Sequence, residues 1–82
     1  MNRQTRRILQ ALGSLHDVVK ASVDKWEIRE KRHITPAMEM QIAVDIMPCR
    51  YRELIMEWNL NKDEQYRISA EIKKRLNIDL TV

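Results

Sequence analysis

Eighty-two residues with a net charge of +3 leave room for one domain, and a chain this short buries only roughly 60% of the surface its unfolded form exposes. One cysteine excludes an internal disulfide, one glycine excludes a glycine-rich phosphate loop, and no apolar run reaches the length of a signal peptide or a membrane span. The expectation is a cytoplasmic protein with a thin core, worth about 3 to 5 kcal/mol net unless packing or a partner adds to it.

The first element is a long amphipathic helix predicted over residues 5–32. Ile8, Leu12, Leu15, Val19, Ser22 and Trp26 alternate spacings of four and three, which stacks them into one seam. Leu9, Val18 and Val23 widen the seam into a stripe, as expected of a helix lying in a groove made by other helices. Gly13 falls inside this helix at a cost of up to about 1 kcal/mol relative to alanine, which predicts either a close crossing or a bend there. On the outer face, opposite charges from Asp17 to Lys31 sit three and four residues apart and mark a wet surface.

Thr35 is a good N-cap and Pro36 fits the first helical position, so a second helix is predicted over 36–46. Pro48 disfavours the helical conformation at Met47 and sets the expected stop. On a wheel Met38, Ile42 and Ile46 share one apolar face, while Met40, Ala43, Val44 and Met47 share another. Covering both requires a central position or a partner chain, and a homodimer is the simplest partner. A third helix is predicted over 49–59, with Tyr51, Leu54, Ile55 and Trp58 as its core stripe. Asn61 followed by Glu64 is an Asn form of the capping box and opens a fourth helix over 62–76, which buries Ile68, Ile72 and Leu76 with Tyr66 and Ala70 at the flanks. Asn77 suits the left-handed residue that ends a helix. The tail from Ile78 to Val82 alternates like a strand but has no strand to pair with, so its apolar side is expected on the bundle. The predicted fold is all-α: about four helices organised around the long first one.

Catalytic chemistry has no convergent groups here. His16, His33 and Cys49 lie far apart, a lone buried thiol is commoner than a nucleophile, and their spacing fits no zinc site. No catalytic residue, metal site, cofactor or small-molecule substrate is expected. Arg3, Arg6 and Arg7 form a basic cluster with no helix C-terminus to explain it, suited to phosphate, an anionic surface or an acidic partner, although a solvated end is the commoner role of so short a run; Lys31, Arg32 and His33 have the dipole of the first helix as their ordinary explanation. The third and fourth helices have the proportions of a helix-turn-helix, which makes a small DNA-binding regulator the alternative reading. Against it, the would-be recognition helix begins Lys62, Asp63, Glu64, and acids there repel phosphates. Met38, Met40, Met47 and Met56 lie within nineteen residues, with Met56 on the outer side beside Arg52. Flexible thioethers suit a surface that fits another protein, although filling core gaps is their commoner use. Met40, Val44, Met47 and Met56, together with Arg3, Arg6 and Arg7, are the candidate partner-binding residues.

The opening MNRQTRRILQALGSLHDVVKASVDKW and the later MPCRYRELIMEWNLNKDEQYRISAEIKKRLNI, together with the full length of the chain, resemble the small cytoplasmic antiholins, the lysis-inhibition accessory proteins of T-even bacteriophages. That resemblance implies a non-enzymatic protein of the host bacterial cytoplasm that binds the cytoplasmic N-terminal segment of the phage holin and delays hole formation. It would meet the membrane only through that partner.

Overall fold

The computed structural model describes residues 2–80. Three helices make up the described chain, α1 Arg3–Glu30, α2 Pro36–Glu57 and α3 Lys62–Leu76, and no strand occurs among the described residues. The fold is all-helical around a long first helix, as expected, but with three helices where four were predicted.

α1 starts two residues before the predicted bound because the Asn2 side chain accepts from the Thr5 backbone N–H at 2.7 Å. It ends where Lys31 turns left-handed, at φ 56°. Its buried residues are Ile8, Ala11, Leu15 and Val19, a narrower set than the predicted stripe, with Leu9 left 46% exposed. Gly13 does not mark a close crossing: a Cβ built there would meet nothing within 4 Å.

The predicted break at Pro48 is overturned. α2 is one helix of 22 residues with Pro48 inside it. A proline in a helix interior costs about 3 kcal/mol. Ala43, Met47, Tyr51 and Leu54, spaced four, four and three apart, bury one seam that exists only if the helix continues. Burial of the three larger side chains, at roughly 1.5 to 3 kcal/mol each, outweighs the cost. The carbonyl deprived of its donor belongs to Val44, which is 44% exposed, so water can replace the missing N–H.

α3 has the predicted bounds. Asn61 accepts from the Glu64 N–H at 2.8 Å and Glu64 Oε1 accepts from the Asn61 N–H at 3.0 Å, completing the capping box. Asn77 is left-handed at φ 55°. Ile68 and Ile72 are buried and Leu76 partly so, but Tyr66, at 72% exposed, and Ala70 lie outside the core. Ile78 and Leu80 join the core while Asp79 is exposed, as the alternating tail predicts; Thr81 and Val82 lie outside the described residues. Tyr51 Oη donates to the Gln65 carbonyl at 2.8 Å and links α2 to α3.

α1 sets the shape. Twenty-eight residues at about 1.5 Å each span about 42 Å, and the longest dimension of the molecule is 42 Å against 23 and 19 Å across it.

Candidate functional site

α3 has 15 residues and reaches only about 22 Å, roughly half the length of α1. Its start is fixed to the start of α1. Arg7 Nε donates to Glu64 Oε2 at 2.8 Å, Arg7 Nη2 donates to the Trp58 carbonyl at 2.7 Å, and Gln4 Nε2 donates to Asp63 Oδ2 at 2.8 Å. Glu64 is the one buried charged residue among those described, and the capping box explains why the chain can bury it: the carboxylate accepts from Arg7 and from Asn61 at once. From this end α3 runs along α1 until Ile72, Arg75 and Leu76 line one open cleft with Leu12, Gly13 and His16 of α1 and Met47 of α2.

Beyond that level Val19 and Ala43 are still buried, in one core with Ile78 and Leu80 of the tail, and past them the molecule thins to a helical hairpin. No residue from Lys20 to Ile42 is buried. Ser22, Val23, Trp26, Met38 and Ile42 are half-buried, and Met40 and Val44 stand 40% and 44% exposed. Counted back from the connection at 31–35, Met40 is about level with Trp26 and Val44 with Ser22 and Val23. This open half of the hairpin is the candidate site: a mostly aliphatic surface, two helices wide, that begins past the buried Val19 and Ala43.

The residues predicted for partner binding separate into three groups. Met40 and Val44 are on this surface. Met47 is not; at 3% exposed it belongs to the core. It shares the wheel face of Met40 and Val44 but lies one turn nearer α3, whose end covers it. Met56 is exposed as expected, at 83%, yet sixteen residues of helix put it about 24 Å from Met40. Arg3, Arg6 and Arg7 are at that same far end, and they do not act as one cluster. Arg7 is spent on Glu64 and Trp58, while Arg3 and Arg6 are exposed with no ion pair among the described residues.

Sequence reading missed Val23 and Trp26 as site residues because the seam assigned both to the core; Val23 packs against that core while only half-buried, and Trp26 lies half-buried beyond it. It also missed Ile28, 77% exposed on the opposite side of α1; its signal was an isoleucine off the seam.

At the tip, Glu27 Oε2 accepts from His33 Nδ1 at 2.9 Å and from the Ile34 N–H at 3.1 Å. The His33 bond first, and the backbone N–H second, hold the Glu27 carboxyl below the ordinary carboxylate range. The Arg32 guanidinium lies 5.1 Å over the Trp26 ring. Cys49 is exposed rather than buried, its Sγ 3.8 Å from Glu53 Oε1. Among the described residues no His, Cys, Asp or Glu side chains are grouped as a metal ion requires. The first turn of α3, which a helix-turn-helix would present to base edges, is packed against Gln4 and Arg7. No described helix is long and apolar enough to cross a membrane.

Comparison of the chain with protein-family models, with curated proteins and with solved structures finds no match in any of the three.

Proposed function

We propose that this chain is a non-enzymatic binding module that receives a short amphipathic helix on the open half of its hairpin, and that the helix is the cytoplasmic segment of a phage holin. In this reading the protein is a cytoplasmic antiholin that prolongs lysis inhibition. The observation that supports it is the mismatch in length between α3 and the α1–α2 pair. α3 ends at Leu76 while α1 runs on to Glu30 and α2 returns from Pro36, and among the described residues only the short tail from Asn77 to Leu80, not a further helix, follows α3. An incoming helix with apolar residues at i, i+3, i+4 and i+7 can lie against Val23, Trp26, Met40 and Val44. Arg3 and Arg6, at the other end, would speed encounter with an acidic partner more than they would tighten the complex.

Holding the segment stabilises a holin state that does not assemble into a lesion. The delay is bounded by how much more tightly the chain binds that state than the assembling one. The test is co-purification with a soluble holin segment, run beside lysis timing in infected cells. Complex formation at micromolar concentration that Val44→Glu abolishes, with earlier lysis when the gene is deleted, is the expected result. No complex together with unchanged lysis timing would sink the proposal. DNA binding gains no support from the geometry, since the helix end it needs presents the acids Asp63 and Glu64, held by Gln4 and Arg7 of α1.

A further inference from the structure

The tip of the hairpin carries a second surface centred on Ile28, which lies off the seam of α1 that faces α2. Ile28 is 77% exposed. It borders a shallow depression lined by Glu27, Lys31, Arg32 and His33, with Arg29 next to it in sequence. Cations at a helix C-terminus ordinarily satisfy the backbone dipole, which accounts for Arg29 and Lys31 but not for an isoleucine held in water among them.

The backbone supplies an independent observation. Among the described residues three have positive φ: Asn59, Asn77 and Lys31. Asparagine tolerates that conformation well, and glycine would be better still at the end of a helix. Lysine does not share this tolerance, so at Lys31 the favourable helix dipole is set against a strained backbone. Trp26, half-buried beneath Arg32, holds that guanidinium over its ring.

We propose that this tip docks on an anionic lipid surface. Ile28 enters the headgroup layer, Lys31 and Arg32 meet lipid phosphates, and Arg29 joins them by exchanging its 3.2 Å ion pair with Glu30 for a phosphate. One exposed aliphatic side chain or a few cations alone bind membranes only weakly, whereas the two together make a reversible anchor. The tip is a convex end of a rod 42 Å long, which fits a plane, and duplex DNA has no use for the isoleucine. The molecule would then stand off the bilayer with the open half of the hairpin nearest to it. This inference does not rest on the identity of the helix bound there.

The test is co-sedimentation of the whole chain with vesicles of phosphatidylglycerol and phosphatidylcholine in equal parts, against phosphatidylcholine alone and against duplex DNA. The anionic vesicles should pellet the protein, less so as salt rises, and the other two should not. Lys31→Gly should raise the melting temperature while weakening vesicle binding roughly fivefold, the effect of one cation near the surface. Ile28→Asp should abolish binding with helicity unchanged, and Arg3→Gln with Arg6→Gln should have no effect. Three results would each overturn the proposal: undiminished binding by Ile28→Asp, a loss in the Arg3 and Arg6 variant as large as in Lys31→Gly, or duplex DNA retained more tightly than the anionic vesicles.

Discussion

Arg7 and Glu64 join the second turn of α1 to the first turn of α3 through a 2.8 Å ion pair whose acidic partner is 95% shielded and whose basic partner is 31% exposed. Removal of Arg7 leaves a shielded carboxylate with only the Asn61 N–H. Breaking a fully buried pair costs about 3 to 5 kcal/mol, and the partial exposure of Arg7 reduces that to an expected 1 to 2 kcal/mol, roughly. Arg7→Met should lower the melting temperature by about 4 to 15 °C. Adding Glu64→Gln should recover part of the loss, because an amide oxygen can still accept from Asn61. Thermal melts of the two variants check this, and equal melting of wild type and Arg7→Met would reduce the contact to a surface ornament.

Gly13 lies in the middle of α1 with open space where a side chain would go. Gly13→Ala should therefore stabilise the protein by about 1 kcal/mol, the propensity difference in an exposed helix interior. A destabilised variant would mean that something does approach this residue closely in solution.

Thr35 Oγ1 accepts from the Met38 N–H at 3.2 Å and caps α2. Thr35→Ala should cost on the order of 1 kcal/mol, and Thr35→Asp much less, since a carboxylate caps as well as a hydroxyl. Urea denaturation distinguishes the two; identical midpoints for alanine and aspartate would remove the cap from the account.

Val44 and Met47 should respond oppositely to a charge. Val44→Glu places it in water and should keep wild-type helicity, while losing partner binding and any self-association seen by sedimentation at micromolar concentration. Met47→Glu buries it, at a cost of several kcal/mol that a thin core cannot absorb, and should unfold the chain. Circular dichroism of both variants is sufficient. A folded Met47→Glu would return that residue to the surface.

Two groups contribute to the pH dependence of stability. Burial first raises the Tyr51 pKa above its ordinary value, so the neutral phenol is favoured in the folded state. Its stabilisation is complete below the unfolded pKa of about 10 and is lost as pH rises through the folded value. Tyr51→Phe should flatten that alkaline limb. For Glu27, depressed by His33 and Ile34, the contribution is present above the ordinary carboxylate pKa and disappears as pH falls through the lowered one. Glu27→Gln should flatten the acid limb. Stability curves against pH that keep both limbs in these variants would contradict the assignments.

Local chemistry was legible in the sequence. Asn61 with Glu64, Thr35 with Pro36, and Asn77 were each readable because a cap depends on residues within one turn of one another. The alternating tail was readable for a similar reason. Pro48 was misread because the rule about proline is also local, whereas the seam from Ala43 to Leu54 that overrides it depends on what α1 and α3 present across the core. Half of the candidate surface was visible as the exposed side of Met40 and Val44. Its boundary was not, since a helical wheel gives direction without height, and only the end of α3 separates Met47 from those two. Ile28 had no pattern to join.

Fifty-seven residues separate Arg7 from Glu64. A ribosome therefore releases the seam of α1 long before the helix that closes over its first half exists. In that interval Ile8 and Leu15 have only α2 to lie against, and apolar surface that the finished protein hides is bare to chaperones and proteases. A chain interrupted after Glu57 would stay in that condition and should bind a hydrophobic dye that the whole chain does not. The Arg7–Glu64 contact thus works as a completion signal: it forms when α3 has been made, and with it the proximal end passes from vulnerable to protected.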